Sequence, residues 1–277
     1  MEKFTLLIET TDAKGLVYNV SKVLFEHGLN IDKNSEYVDS EENKFFMRTV
    51  ISGEFNEAKL LKDIKGLLPQ NHIIKLKPQT CKDIVLLVTK ESHVLGDILI
   101  RYLSGELNAN IKAVVSNHDH LRTLVEKFDI PYHFVDTKDL AREEHEQKLI
   151  NQIDVYNPEI IVLAKYMRIL TSKFVGYYEG KVLNIHHSFL PAFIGANPYK
   201  QAHSRGVKII GATAHYVTND LDEGPIIFQD ITRVDHTYSW QDMRNAGRNV
   251  EKVVLSNALQ LLLDDKVLTY SNKTVIL

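Results

Sequence analysis

Residues 182–191 read Val182-Leu183-Asn184-Ile185-His186-His187-Ser188-Phe189-Leu190-Pro191. A short apolar run (Val182, Leu183, Ile185) passes into polar side chains, as a buried strand does where it meets a loop. Runs of the same kind recur upstream at Ile84–Val88, Ile111–Val115, Tyr132–Val135 and Ile160–Leu163. Helical patterns intervene, including Val94–Leu103 and Leu140–Tyr156. Near-continuous apolar strands alternating with helices predict an α/β fold with a mostly parallel sheet covered on both faces. Ligands of such sheets collect in the crevice outside the strand carboxyl ends, which is where Asn184 and His186 fall. Downstream, Val207–Thr218 and Pro225–Val234 read as two further strands and Ser239–Leu263 as a long helix.

Residues 1–80 carry a different pattern. Phe4 to Glu9 is a short apolar strand, and Leu16, Val20, Val23 and Leu24 form one face of a helix that stops at Gly28. A polar turn, Asp39 to Asn43, separates strands around Tyr37 and over Phe45–Ile51. Leu60, Leu61, Ile64, Leu67 and Leu68 mark a second amphipathic helix ended by Pro69, and Ile73 to Leu76 supplies a last strand. That order, βαββαβ, is the ferredoxin-like unit. Lys77 to Thr80 reads as a linker, which divides the chain into domains at 1–80 and 81–277.

The chain has 277 residues, with 33 Lys and Arg against 36 Asp and Glu, so the net charge of -3 excludes a general electrostatic footprint for nucleic acid. Its single cysteine, Cys81, excludes an intrachain disulfide framework and fits a reducing cytoplasm. No histidine lies near Cys81 in sequence, so it reads as an incidental thiol at the domain junction. The first apolar run is too short for a signal peptide, and no apolar stretch approaches the roughly 20 residues that span a bilayer. A cytoplasmic protein with no membrane partner is expected.

The chemistry gathers in the 182–191 stretch and in a second one, Gly211 to Gln229. Together they offer an amide, an imidazole and a carboxylate, a set suited to reaction at a carbonyl. Asn184 would donate to a developing oxyanion, His186 would move a proton, and a carboxylate of the run Asp220-Leu221-Asp222-Glu223, which otherwise reads as a solvated loop, would orient the ring or activate water. His186 and His187 are adjacent, so on an extended segment only one faces the crevice. A metal site built from His186, His187, His203, His215 and Asp222 is the competing idea. No His-x-x-x-His pair or Cys-x-x-Cys supports it, so no metal is expected.

Asn184-Ile185-His186, followed by Ser188, Leu190-Pro191, Leu221-Asp222 and Gly224-Pro225, resembles the signature of the folate-dependent formyltransferase superfamily. The longer strings Asn184 to Tyr199, Lys208 to Tyr216 and Leu163 to Leu170 resemble its formyltetrahydrofolate deformylase family. The resemblance implies a Rossmann-like formyltransferase domain over 81–277, with Asn184, His186 and Asp222 catalytic. It selects His186 over His187, which becomes structural. Tyr166, Met167, Arg168, Ile169 and Leu170 would line the folate pocket, although core packing for Met167, Ile169 and Leu170, or an ion pair for Arg168, fits as well. His215 would support the Asp222 loop or act directly, a plain hydrogen-bonded strand histidine being the simpler reading.

The implied reaction is hydrolysis of 10-formyltetrahydrofolate to formate and tetrahydrofolate, balancing folate pools and supplying formate for purine synthesis, with the folate as substrate and no cofactor. Phosphoribosylglycinamide formyltransferases carry a glycine-rich turn after their first strand, suited to a phosphate. Here that place reads Val88-Thr89-Lys90-Glu91-Ser92-His93-Val94-Leu95-Gly96, with an acidic Glu91 and no glycine before Gly96, which favours water as acceptor. A formyltransferase to a small amine is the alternative. A methionyl-tRNA formyltransferase lacks support, since no basic C-terminal extension is present. A ligand-binding regulator with a dead catalytic domain is opposed by the intact Asn184, His186 and Asp222. The first domain, with Asp12-Ala13-Lys14-Gly15-Leu16-Val17, resembles an ACT regulatory module. That implies an amino-acid effector such as glycine or methionine, held by backbone around Asp12, Lys14, Gly15, Leu16 and Val17, and a homo-oligomer.

Overall fold

The structure is a computed structural model that describes residues 2–192 and 197–277, so positions 193–196 of the Asn184 to Tyr199 string lie outside the described residues. The chain forms two compact units, residues 1–80 with 264–270 and 275–277, and residues 81–263 with 271–274.

In the first unit the elements run β1 (Lys3–Thr11), α1 (Leu16–Glu26), β2 (Asn30–Asp39), β3 (Lys44–Ser52), α2 (Glu57–Lys65) and β4 (Ile73–Pro78). The strands pair antiparallel in the order β2-β3-β1-β4, the ferredoxin-like arrangement. Strand alternation splits the core between two faces. Leu6, Ile8, Met47 and Ile51 meet Val20, Leu24, Leu60 and Ile64 of the helices. Leu7 and Phe46 point the other way and are covered by Leu268, Tyr270 and Val275. Double coverage explains why β1 reads as a continuous apolar run rather than an alternating one. It also corrects the placement of the whole tail in the second domain. Arg48, from β3, donates to the carbonyls of Asp264 and Asp265 and ties residues 264–270 to this unit.

The second unit runs β5 (Lys82–Val88), α3 (His93–Leu103), β6 (Ala109–Ser116), α4 (Arg122–Glu126), β7 (Tyr132–Phe134), α5 (Arg142–Asp154) and β8 (Ile160–Leu163). It continues with α6 (Ser172–Tyr177), β9 (Val182–His186), α7 (Pro198–Ser204), β10 (Ile209–Tyr216), β11 (Ile226–Arg233) and α8 (Trp240–Leu263). A terminal hairpin, β12 (Val267–Tyr270) and β13 (Lys273–Ile276), closes the chain, with β12 belonging to the first unit. The seven-stranded sheet has the order β11-β10-β9-β8-β5-β6-β7. Pairing is parallel from β9 through β7, while β10 and β11 run antiparallel. The mostly parallel α/β fold expected from the alternation is present.

From β5 the chain builds outward to β7, then returns to place β8 and β9 on the other side of β5. The carboxyl ends of β5 and β8 therefore bound a topological switch point, where such sheets open a crevice. Behind it, Val85, Leu87, Val115, Leu149, Ile153, Ile161, Phe174 and Val182 form the packed core. Each such buried aliphatic or aromatic side chain contributes about 1.5–3 kcal/mol. The helices α4, α6 and α7 are too short for an apolar period to show in sequence. Among the described residues no helix is long and apolar enough to cross a membrane.

Candidate active site

Asn184 and His186 lie two residues apart on β9, so the strand turns both side chains to one face. The antiparallel pairing of β10 with β9 sets His215 directly opposite Asn184. Side chains at such paired positions lie within contact distance. Accordingly, Asn184 Nδ2 is 3.2 Å from His215 Nε2. His215 Nδ1 is 2.9 Å from the carbonyl of Tyr216, which can only accept, so Nδ1 carries the hydrogen. Burial pulls His215 below the usual histidine value, outweighing the Tyr216 carbonyl and Asp222, and keeps the ring neutral. Its bare Nε2 then accepts from Asn184, which fixes the amide so that Nδ2 keeps a second N–H. With the ring neutral, the 3.7 Å approach of Asp222 Oδ1 to His215 Nε2 is not an ion pair.

Asp222 reaches the site from the loop between β10 and β11. Its backbone is left-handed, φ 59°, a conformation aspartate tolerates better than most residues. Gly224 makes the return possible, because a Cβ there would lie 1.8 Å from the carbonyl oxygen of Tyr216. Asp222 Oδ2 sits 3.2 Å from His186 Nδ1, and both side chains are nearly buried. Burial alone would raise the Asp222 carboxyl, yet the hydrogen bond from His186 and the nearby imidazoles hold it below the ordinary carboxylate value. The carboxylate is therefore ionised at neutral pH. With Nδ1 donating to it, His186 Nε2 is left buried and without a partner among the described residues. An orphaned ring nitrogen of that kind calls for a ligand.

Asn184, His186, His215 and Asp222 all line one cavity of about 630 Å³. Tyr166, Met167, Arg168, Ile169 and Leu170 line it as well. Met167 and Ile169 are more than half exposed, which removes core packing as their role. Tyr166 and Leu170 do pack on the core. Arg168 makes no ion pair with a described residue. The loop is tethered through its backbone instead: Met167 N–H donates to Thr89 Oγ1 at 3.0 Å, Arg142 donates to the Ile169 carbonyl, and Thr171 N–H donates to Glu146.

His187 departs from expectation. Its ring also borders the cavity, with its centroid 5.3 Å from that of His186. Strand alternation does not apply, because β9 ends at His186 and residue 187 already lies in a bend. Burial, reinforced by the Lys165 ammonium, pushes His187 down to about 4, so this ring is neutral at pH 7.

A second polar group in the cavity escaped sequence reading. Glu251 is buried and accepts from Tyr199 Oη at 2.6 Å, from His93 Nε2 at 2.9 Å and from Lys165 Nζ at 3.2 Å. Burial opposes its ionisation, but these three partners hold it at about 2. Lys165, itself buried, has φ 65° at the start of the 165–170 loop, costly for a long side chain. Two signals were available: Glu251 stands on the apolar face of α8, and Gly247 lies one turn before it. A Cβ on Gly247 would come 2.1 Å from Tyr199 Oη, so glycine there admits the tyrosine. His203 does not line this cavity, and no group of three or more His, Cys, Asp or Glu among the described residues is placed to hold a metal.

A parallel sheet that brings an amide, an imidazole and a carboxylate to one crevice defines an enzyme of carbonyl chemistry. Residues 82–259 match the family described as Formyl transferase. The chain is 54% identical over 277 residues, all of both chains, to formyltetrahydrofolate deformylase from Haemophilus influenzae. The crystal structure of a formyltetrahydrofolate deformylase from Pseudomonas syringae superposes with a TM-score of 0.95 at 40% identity, covering 100% of this chain and 94% of that one. A phosphoribosylglycinamide formyltransferase from Coxiella burnetii reaches 0.66 at 29% identity, covering 71% of this chain and 93% of its own. The chain belongs to the formyl transferase family, within its formyltetrahydrofolate deformylase branch.

Proposed function

We propose that the chain hydrolyses 10-formyltetrahydrofolate to formate and tetrahydrofolate. The observation that carries this reading is the paired geometry of the cavity, Asn184 held by His215 and His186 held by Asp222, beside the tethered 165–170 loop. The loop receives the folate ring system. The second N–H of Asn184 faces the formyl oxygen and is strengthened as that oxygen gains charge. Water attacks the formyl carbon and loses a proton to Asp222. The carbon–nitrogen bond then breaks, with a proton passed to the folate nitrogen from His186 Nε2 or a water. The protons then held by Asp222 and by the formic acid product leave, one restoring His186 and one passing to solvent, so that the sum is formate, tetrahydrofolate and one proton.

Transfer to a small amine is the weaker reading. The transferase relative matches about seven tenths of the chain, whereas the deformylases match all of it. Formate release from 10-formyltetrahydrofolate with no acceptor added tests the assignment, and turnover that requires an amine would refute it. The proposed reaction supports a role in one-carbon metabolism, and we assign the enzyme to the cytoplasm, with its formate feeding purine synthesis.

Residues 1–80 act as an ACT-type sensor of a small amino acid, glycine or methionine, in a homo-oligomer. Gly15, φ 88°, precedes α1 and lets the backbone of residues 12–17 approach a ligand carboxylate. Leu16 contributes backbone only, since its side chain is in the core. Titration of both amino acids into the intact protein, reading hydrolysis and solution mass, tests this reading. No binding, no change in rate and a monomeric mass would reject it.

A further inference from the structure

Glu91, Arg248, Glu251, Lys165 and Tyr199 line the same cavity and form one connected polar group. Its cations are matched by in-chain carboxylates. Lys165 is held by Glu251, and Arg248 Nη2 lies 3.3 Å from Glu91 Oε2. Glu91 also faces His93 Nδ1 at 3.3 Å, so His93 links the two carboxylates. Arg248 lines the cavity with its side chain partly exposed, and its Nε is buried and has no partner among the described residues. A guanidinium with a spare donor is a ready phosphate ligand. Of the two carboxylates in this group, Glu91 is the one that contacts Arg248.

We propose that Glu91 is a specificity-determining residue that engages Arg248 and so denies the acceptor side of the cavity to phosphate-bearing amines, leaving water as the acceptor. The inference rests on the hydrolytic reading above. Its physical basis is charge: a phosphate dianion entering beside Glu91 meets a like charge and a cation already paired, and like charges juxtaposed in a binding site are strongly disfavoured. Removing the carboxylate frees Arg248 Nη2 and converts the same place into an anion site built on the guanidinium Nη groups.

The test measures formate release with and without millimolar inorganic phosphate, in chloride-matched ionic strength, for the intact protein and three variants. The unmodified protein and Glu91→Asp are expected to be insensitive. Glu91→Gln is expected to be inhibited, with a phosphate inhibition constant lowered by at least about tenfold. The double variant Glu91→Gln with Arg248→Met is expected to lose that sensitivity. A Glu91→Gln protein that ignores phosphate, a double variant inhibited as strongly as the single one, or an unmodified protein already inhibited would each overturn the proposal. Absence of acceptor-free formate release from the unmodified protein would instead refute the hydrolytic reading, so the two failures are separable.

Discussion

Replacing Asp222 by asparagine keeps the size of the side chain and removes its charge. The carboxylate oxygen lies 3.2 Å from His186 Nδ1, in a nearly buried setting. At an effective dielectric constant of about 20 a full pair at that distance is worth ~5 kcal/mol, and at about 40 it is worth ~2.5 kcal/mol. Because a charged His186 ring faces the growing oxyanion while the Asp222 carboxylate begins to take the water proton, part of that interaction is felt in the transition state. At about 1.4 kcal/mol per tenfold, Asp222→Asn should lower kcat by about 10²–10⁴ while leaving KM for the folate within a few fold. The loss should persist across pH 6–8, because the Asp222 carboxyl titrates below its ordinary 3.8 and is ionised throughout that range. The assay is initial-rate formate release, with circular dichroism to confirm folding. A folded Asp222→Asn protein with near-normal kcat would refute the charge argument and take Asp222 out of the mechanism.

Asn184→Ala should cost about 10²–10³ in kcat, the usual loss for one oxyanion donor; a raised KM with unchanged kcat would show ordinary substrate binding instead. His215→Phe should lower kcat by about tenfold with little change in KM, since only the hold on the Asn184 amide is lost; an unaltered kcat would make His215 a passive strand residue. His187 has a folded value of about 4, below its unfolded 6.5, so the unfolded chain takes up the proton first as pH falls. Its contribution is complete above pH 6.5 and is lost progressively toward pH 4, amounting to about 2 kcal/mol between pH 7 and 5. Urea unfolding of His187→Asn should therefore show a shallower fall in stability over that interval, and equal pH dependence in both proteins would contradict the burial argument. Chelators should leave hydrolysis intact; activity lost to chelation and restored by stoichiometric zinc or iron would establish a metal in the mechanism.

Properties with a short repeat along the chain were legible without coordinates. The apolar runs at 84–88, 160–163 and 182–185 and the helical periods between them specify a parallel sheet, because burial on both faces demands such runs. Asn184 and His186 could be placed together at a strand end for the same reason, since a two-residue spacing settles the shared face. The loop at 165–170 followed from its position after β8. Tertiary structure alone decided the rest. Which residue of β10 stands opposite Asn184 depends on a register chosen across some thirty residues, and no local period encodes it. His187 entered the cavity because the strand ended one residue earlier. Glu251 became an active-cavity residue only when α8 packed against Tyr199 and met Lys165 and His93, and the tail joined the first unit only because Leu7 and Phe46 left a second apolar face to cover. Periodicity reports which face of an element is buried, and contacts between distant elements settle what that face meets.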